Sequence, residues 1–242
     1  LERYATLSLE QKVLYKEIVK QTEKTLEEAE GIAKKGAVFK LKTALKQVCC
    51  HPALYCDTSK KELENSGKAT LLMDLLESIH QRNEKVLVFT QYAQMGFLLQ
   101  DLVKEPFSLD APFLHGGSTR AQRDAMVEQF QSDPECWLMI LSIRAGGTGL
   151  NLTAASHVIH YDLWWNPAVE NQATDRAFRI GQEKQVTVHR LITEGTFEER
   201  INEMLTSKKD LADSVIATGE NWITELSATQ LKDLIALRES HT

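Results

Sequence analysis

Short apolar runs that alternate with amphipathic segments constrain the fold of this chain more than any other sequence feature. From Lys85 onward the run KVLVFT is typical of a strand buried on both faces, and CWLMILS and HVIHYDL are typical of buried strands. APFLHG is strand-like, and QVTVHRLI alternates in part, as a strand does. Between them lie segments with apolar positions three and four residues apart, as in helices. This alternation predicts an α/β fold, a parallel sheet with right-handed crossovers and helices on both faces.

The chain before the first apolar run has a different pattern of apolar residues. Residues 1–82 predict helices throughout, and KATLLMDLLESIHQR carries a strong apolar face. Gly31 and Gly36 are expected to interrupt the helical run, because glycine is a poor helix former. Capping-box patterns predict three helix starts, at Ser8 with Gln11, at Thr119 with Gln122 and at Thr196 with Glu199. The tail from Gly219 predicts a loosely attached helix.

Composition argues against several classes of protein. The 242 residues carry a formal charge of −6, which argues against coating nucleic acid through bulk charge but leaves room for a local basic groove. No apolar run approaches the ~18–20 residues of a membrane span, and the charged start LERYATLSLEQ is unlike a signal peptide. Four cysteines predict a reducing compartment without disulfides. We therefore expect an intracellular protein with no membrane partner.

One cluster of cysteines raises the question of a metal. It comprises Cys49, Cys50, His51 and Cys56. Two adjacent cysteines seldom bind one ion, and no second Cys/His pair follows at zinc-finger spacing, so we expect no metal in this chain. Cys49 and Cys50 instead predict the end of a buried helix, which Pro52 stops.

A second stretch, SGKAT, looks like the end of a phosphate-binding P-loop. That motif needs a glycine, four further residues and then Gly-Lys-Ser/Thr, all after a buried strand. Glu62 stands where the first glycine belongs, Ala69 replaces the hydroxyl residue, and no strand precedes the stretch. Gly67 and Lys68 are predicted to begin a helix instead. Since no predicted strand ends in paired acids suited to Mg²⁺ either, the chain has no complete nucleotide site.

Four loops are predicted to meet where parallel strands end, the edge at which such sheets bind ligands. They are TQY, HGGS, SIRAGGTG and DLWWNP, and each is rich in glycine or small polar residues. Glycine lets backbone N–H groups approach a phosphate, so RAGGTG is a candidate phosphate or nucleic-acid contact. The alternative is a tight connection without a ligand. Trp165 in the last loop is either a core residue or part of a nucleic-acid track.

The segment NQATDRAFRIGQ predicts a helix with a polar face. Its residues three and four apart are Gln172, Asp175, Arg176 and Arg179. Two guanidinium groups on one face can grip a phosphate or stabilise a phosphoryl-transfer transition state. Equally, they can pair with neighbouring acids in an exposed array of little energetic value. Spacing alone leaves both interpretations open. The strand histidines His157, His160 and His189 are expected to be structural.

These motifs resemble those of a known family. LSIRAGGTGLNLTAASHVIHYDLWWNP and QATDRAFRIGQ are similar to helicase motifs V and VI of the Swi/Snf-type DNA translocases, near STRAGGxGxNL…D…WNP and QAxDRxHRxGQ. VLVFTQY resembles motif IV of these proteins, and TALKQVCCHPAL resembles their helical LRxxCxHPxL signature. GTFEERINEMLTSKKDLADSVI resembles their brace helix. The resemblance covers about residues 4–216. Phe178 departs from it, because the family usually has histidine there, and Trp164 is less usual.

The resemblance implies the second of two RecA-like lobes that hold ATP and double-stranded DNA in a shared cleft. The first lobe, absent from this chain, would bind most of the ATP and the Mg²⁺. At the nucleotide, the resemblance implies Arg179 as the principal arginine finger, with Arg176 beside it and Gln172 nearby. Gly147 and Gly149 would also lie at the nucleotide and, with Thr148, would couple nucleotide binding to DNA. The residues implied along the DNA are Thr90, Gln91, His115, Gly116, Arg144, Trp165 and Asn166.

The functional prediction is the second motor lobe of an ATP-dependent double-stranded DNA translocase, inactive as an ATPase without its first lobe. Its segments would be a linker and helical protrusion (1–82), the RecA-like lobe (83–195), and a brace helix with a tail (196–242). It would work in the bacterial nucleoid or cytoplasm, or in a nucleus. The alternative is a helicase-derived module that binds nucleic acid or protein without a motor. The WNP and brace features weaken a third interpretation, an RNA helicase lobe.

Overall fold

The architecture is a six-stranded sheet with helices. The computed structural model describes residues 1–29, 31–142, 150–164, 166–177, 185–207 and 219–238. The strands are β1 (Glu2–Ala5), β2 (Val86–Thr90), β3 (Phe113–Leu114), β4 (Leu138–Ser142), β5 (His157–His160) and β6 (Thr187–Thr193). All five apolar runs of the sequence contain one of these strands, so the predicted strands are confirmed. The prediction of helices throughout residues 1–82 was wrong at its start, because Glu2–Ala5 forms β1.

The strand order is β1-β6-β5-β2-β4-β3, and the sheet is parallel. In the centre, Val88 of β2 lies opposite Ile140 of β4 on one side and Ile159 of β5 on the other. Every residue of β2 and β4 is buried, as expected for central strands covered on both faces. The predicted α/β class and parallel sheet are confirmed.

Eight α-helices lie within the described residues. They are α1 (Leu9–Glu28), α2 (Gly31–Cys50), α3 (Gly67–Gln81), α4 (Ala93–Phe107), α5 (Arg120–Ser132), α6 (Pro167–Thr174), α7 (Phe197–Ser207) and α8 (Ala228–Ile235). None of the helices in these ranges is both long and apolar enough to cross a membrane.

Local capping chemistry explains where several helices begin. Ser8 and Thr119 form the predicted capping boxes, each side chain exchanging hydrogen bonds with the third helical residue. The start of α7 differs in detail. Thr196 Oγ1 accepts from the Glu198 N–H at 3.2 Å, and the Glu199 carboxylate accepts from the Gly195 N–H at 2.8 Å. Both side chains still accept hydrogen bonds from backbone N–H groups. In the predicted capping box, Thr196 would accept from the Glu199 N–H and Glu199 from the Thr196 N–H; each bond instead involves the N–H of the preceding residue.

Two predictions about helix boundaries are corrected. Gly31 begins α2 with φ of 55°, but Gly36 lies inside that helix and does not interrupt it. The predicted helix NQATDRAFRIGQ ends early, because α6 stops at Thr174. The Asp175 N–H still bonds four residues back, whereas the Arg176 and Ala177 N–H groups bond three residues back, which tightens the end into a turn.

The chain divides into two compact units. The first contains Leu1–Arg3, Ala69–Trp164 and Val169–Leu191, and the second contains Tyr4–Lys68, Trp165–Ala168 and Ile192–Thr242. The three-segment functional division at residues 82 and 195 stays a prediction. The core of the first unit packs strand residues such as Phe89 and Leu141 against Phe130 of α5.

The second unit has its own buried centre, formed by helices distant in sequence. Tyr15 of α1 is 0 % exposed; its hydroxyl donates to the Ile235 carbonyl at 2.9 Å and accepts from the Phe197 N–H at 3.1 Å. The Arg200 guanidinium donates to the Ala236 carbonyl at 2.5 Å. Leu231 of α8 is buried as well. The tail is therefore packed into this unit, and the prediction of a loosely attached helix was wrong.

The cysteine cluster and the SGKAT stretch, which resemble a metal site and a P-loop, both have structural explanations. Cys49 and Cys50 are buried at the end of α2, as predicted, and Pro52 begins the next short turn. Gly67 and Lys68 begin α3, also as predicted. The Lys68 ammonium is 0 % exposed and lies 2.7 Å from the Glu198 carboxylate, so it is committed to a buried ion pair.

Candidate functional site

One buried carboxylate ties together the carboxyl ends of β2 and β5. Asp162 is 0 % exposed, and its Oδ2 accepts a hydrogen bond from Thr90 Oγ1 at 2.5 Å. Its two oxygens also accept from the Gln91 backbone N–H at 2.9 and 3.1 Å. Because β2 and β5 are paired neighbours, this contact fixes where the chain leaves both strands. Sequence reasoning did not select Asp162, although the D of the D…WNP pattern marked its position.

Thr90 and Gln91, both predicted along the DNA, are held by this contact. The Thr90 side chain is buried, and its hydroxyl donates to Asp162, so this side chain fixes the position of the loop after β2. Gln91 is half-buried, and its Nε2 donates to the Leu163 carbonyl at 2.7 Å. A ligand at this edge could reach Gln91 but not the Thr90 hydroxyl.

The loop after β3 carries an aromatic group. The half-buried ring of His115 packs against Phe97 and Phe113, with centroid separations of 5.1 and 5.0 Å. Its Nδ1 accepts from the Gly117 N–H at 3.1 Å. The neutral ring then carries its proton on Nε2 and is a hydrogen-bond donor there. Phe97 is 49 % exposed, so the loop offers both a donor and an apolar edge.

The fold does not require a glycine at position 116. The residue is exposed, and a Cβ placed there would meet no heavy atom within 4 Å. Its φ also lies outside the left-handed region, which among the described glycines is occupied by Gly31 and Gly195. Close approach of a ligand to the backbone would explain a glycine here.

Asn166 has a clear structural task. Its Oδ1 accepts from the Ala168 N–H at 3.0 Å, which makes it the N-cap of α6. Pro167 follows at the first helical position, where its missing N–H has no cost. The Asn-Pro pair therefore explains how the helix begins, and its predicted contact with DNA stays a prediction.

The residues of the predicted nucleotide face are separated by the end of α6. Gln172 lies on the helix and is exposed, whereas Arg176 lies in the turn after it and is only 6 % exposed. The Arg176 carbonyl accepts from the Leu152 N–H at 3.1 Å, which anchors this turn. The prediction that Gln172 and Arg176 share one continuous helical face was wrong, because α6 ends at Thr174 and Arg176 is buried in the turn after it.

Six predicted site residues lie outside the described residues. They are Arg144, Gly147, Thr148, Gly149, Trp165 and Arg179. Their roles stay predictions that rest on the sequence.

The strand histidines make structural contacts, as predicted. His160 bonds Thr174 Oγ1 through Nε2 at 3.0 Å, and burial, with a smaller contribution from Arg190, lowers its pKa to about 3. His157 bonds the Glu84 carboxylate at 2.8 Å and His189 at 3.2 Å. Within the described ranges, no group of three or more His, Cys, Asp or Glu side chains is placed to hold a metal ion.

Comparisons with known proteins now identify the family. The sequence profile of the helicase conserved C-terminal domain matches residues 67–181. The chain is similar to the solved C-terminal domain of a Sulfolobus solfataricus SWI2/SNF2 ATPase, with 35% identity, a TM-score of 0.86, and coverage of 99% of this chain and 98% of that one. The chain belongs to the Swi2/Snf2 ATPases. It corresponds to their C-terminal, RecA-like lobe.

Two further relatives show how much of a Swi2/Snf2 protein this lobe represents. The S. solfataricus ATPase core in complex with dsDNA matches with a TM-score of 0.90 and 36% identity, over 99% of this chain and 50% of that one. The Bacillus subtilis protein YwqA, described as an ATP-dependent helicase/translocase, is 49% identical over 98% of this chain. The chain spans 26% of YwqA, about a quarter of that relative's length.

Proposed function

We propose that this Swi2/Snf2 lobe is the second half of an ATP-dependent motor that moves along double-stranded DNA. The observation that carries the proposal is its likeness to half of the S. solfataricus core that was solved with dsDNA. A lobe of this kind works by closing on a first lobe that holds the nucleotide. The absence of a P-loop pattern from all 242 residues supports that division of labour.

In this proposal the lobe contributes arginine fingers. Arg179, with Arg176 beside it and Gln172 helping to assemble the cleft, would stabilise the charge that develops on the transferred phosphoryl group. Gly147 and Gly149 would contact the nucleotide side of the cleft. The Mg²⁺ that accompanies ATP would be held by the first lobe. Hydrolysis supplies the free energy when ATP is bound between the lobes, and the isolated chain is expected to be inactive.

The DNA track is proposed along the carboxyl edge of the sheet. Arg144, Thr148, Trp165 and Asn166 would lie along the backbone together with Gln91, His115 and Gly116. Such contacts go mainly to phosphates, and they position a protein on duplex without reading its sequence. Asp162 and Thr90 act on this track indirectly, by holding the loops after β2 and β5. A duplex substrate implies work in the nucleoid or in a nucleus.

The experiment is ATP hydrolysis by the full-length protein that contains this chain, measured without nucleic acid, with duplex DNA and with RNA of equal length. We expect strong stimulation by duplex DNA, little by RNA, and no turnover by the 242-residue chain alone. Stimulation by RNA above that by DNA would refute the translocase assignment. A parent protein without a P-loop lobe and without ATPase activity would instead support a helicase-derived binding module.

A further inference from the structure

Two neighbouring residues of the sheet contact the same helix, α6. His160 ends β5, and its register partner in β6 is Arg190. Side chains at paired positions of parallel strands project from the same face of the sheet, about 5 Å apart. His160 Nε2 bonds Thr174 Oγ1 at 3.0 Å. Arg190 Nε donates to the Glu170 carboxylate at 2.9 Å. Two adjacent strands are thus attached to one helix.

The two contact points on α6 lie one turn apart. Glu170 and Thr174 are four residues apart, so they share one face of the helix and are separated by about 6 Å along its axis. This spacing is close to the distance of about 5 Å between neighbouring strands. Both contacts can therefore form at once, and a rotation or a shift of the helix would break them.

The polar contacts carry directional information that the apolar contacts of this region lack. The core of the first unit includes Ala173 of α6 and Ala177 just after it, whose side chains are single methyl groups. A methyl group interlocks little with its neighbours, whereas a hydrogen bond requires a narrow range of distance and angle. Arg190 also lies 3.4 Å from the Glu2 carboxylate of β1, so its guanidinium is held from a third strand. The polar contacts therefore determine where α6 lies on the sheet.

We propose that His160 and Arg190 position the turn that carries the arginines, and that they act through α6. Thr174 is the last residue of α6, Arg176 follows two residues later, and Arg179 three residues after that. A misplacement of about 1 Å at a reacting group can lower a rate about 100-fold. His160 and Arg190 are positioning residues, because they act on the helix and not on the nucleotide. The inference rests on the proposed function, in which Arg179 is the finger.

The test is duplex-stimulated ATP turnover by the full-length protein with Thr174→Val, which keeps the shape of the side chain and removes its hydroxyl. We expect kcat to fall about tenfold, while KM for ATP and duplex affinity change by less than about twofold, because the first lobe holds most of the ATP. Thr174→Ser restores the hydroxyl and should return kcat close to the wild-type value. A raised KM at unchanged kcat would assign the effect to binding and overturn the proposal.

A double-variant cycle tests whether His160 and Thr174 act through their shared bond. His160→Phe removes the bond and keeps a ring next to Phe89, whose centroid lies 5.8 Å from that of His160. We expect His160→Phe and Thr174→Val to lower kcat alike, and the double variant to be no slower than either, since all three lack the same bond. Losses that multiply in the double variant would show that the two side chains act independently, which would overturn the proposal.

The second contact is tested in the same assay. Arg190→Met removes the cation beside Glu170 and should lower kcat several-fold, again with KM for ATP unchanged. Arg190→Lys keeps a positive charge there and should recover most of the loss. A wild-type kcat for Arg190→Met would refute the positioning role of Arg190.

Gln100→Met is the matched structural control. Gln100 Nε2 donates to the Ala111 carbonyl at 2.7 Å, so this side chain also joins a helix, α4, to another segment of the first unit. We expect Gln100→Met to keep the wild-type kcat, and urea midpoints to show that every variant is folded under the assay conditions. Equal losses of kcat in Gln100→Met and Thr174→Val would assign the effect to general destabilisation and overturn the proposal.

Failure of this inference is distinguishable from failure of the proposed function. If Arg179→Ala abolishes turnover and Thr174→Val does not slow it, the motor assignment stands and the positioning role is refuted. If the wild-type full-length protein shows no duplex-stimulated turnover, the proposed function fails, and the positioning role fails with it.

Discussion

At the scale of single residues, Asp162 holds the carboxyl ends of β2 and β5 together. Its carboxylate is fully buried and accepts from Thr90 Oγ1 and from the Gln91 N–H. Asp162→Ala removes both acceptor oxygens and leaves the Thr90 hydroxyl and the Gln91 N–H without this partner. We expect it to lower the free energy of unfolding in urea by about 1–3 kcal/mol, the cost of unsatisfied buried groups.

Thr90→Val is the matched comparison for this carboxylate. It removes one hydroxyl, which also accepts from the Tyr92 N–H at 3.3 Å, and leaves the Gln91 N–H bond to Asp162 in place. The expected loss is therefore smaller, about 1 kcal/mol. An Asp162→Ala variant as stable as the wild type would show that the carboxylate does not hold the two strand ends together.

Gly116 allows a test of ligand approach with little effect on folding. A Cβ at this position meets nothing within 4 Å, so Gly116→Ala should change the stability by less than about 0.5 kcal/mol. Its duplex affinity should nevertheless fall several-fold, since the added methyl group would lie where the DNA backbone approaches. Unchanged affinity, measured by anisotropy, would remove Gly116 from the track.

Gly96→Ala supplies the opposite control. A Cβ on Gly96 would lie 2.1 Å from the Phe113 ring, so this variant should be destabilised by about 1–3 kcal/mol through overpacking. Together the two substitutions separate a glycine required by packing from one that the fold leaves free.

At the scale of elements, a buried ion pair joins the first turn of α3 to the first turn of α7. Lys68→Met leaves the Glu198 carboxylate buried without its cation, and we expect a loss of about 3–5 kcal/mol in urea unfolding. In Lys68→Met/Glu198→Gln, the new amide oxygen can still accept from the Thr193 N–H, which bonds Glu198 at 3.0 Å in the wild type. The double variant should therefore be more stable than the single one. A double variant less stable than Lys68→Met would contradict this explanation.

The elements also show what sequence patterns can predict. Buried runs and capping residues such as Ser8 and Thr119 act through local chemistry, so the strands and helix starts were predictable. The end of α6 was not, because the Arg176 carbonyl is used by the distant Leu152 N–H. The packing of the tail was missed for the same reason, since it depends on Tyr15, over two hundred residues away. At the site, motifs identified the loops but not the buried carboxylate that positions them.

At the scale of the whole molecule, stability should fall in mild acid. Burial holds the pKa of His160 at about 3 in the folded state, against an ordinary value of 6.5, so the folded protein keeps this ring neutral. Below pH 6.5 the unfolded chain takes up a proton that the folded chain does not. The stabilising contribution is thus complete above about pH 6.5 and is lost progressively as the pH falls towards 3.

This pH dependence can be assigned by substitution. Over the window from pH 6.5 to 5, His160→Gln should remove up to about 1.4 kcal/mol per pH unit from the slope of the unfolding free energy. The unfolding free energy of each protein is measured in urea at several pH values. The difference between wild type and variant isolates the contribution of His160 from those of the carboxylates. Parallel curves for the two proteins would mean that His160 titrates alike in both states.

The central claim for the whole motor is that this lobe completes the nucleotide site of another lobe. The direct measurement is duplex-stimulated ATP turnover by the full-length protein with Arg179→Ala, compared with Arg120→Ala, whose side chain is 96% exposed on α5. We predict that Arg179→Ala lowers kcat by about 10³-fold or more while duplex binding is retained, and that Arg120→Ala has no effect. Turnover by the Arg179→Ala protein close to that of the wild type would contradict the account.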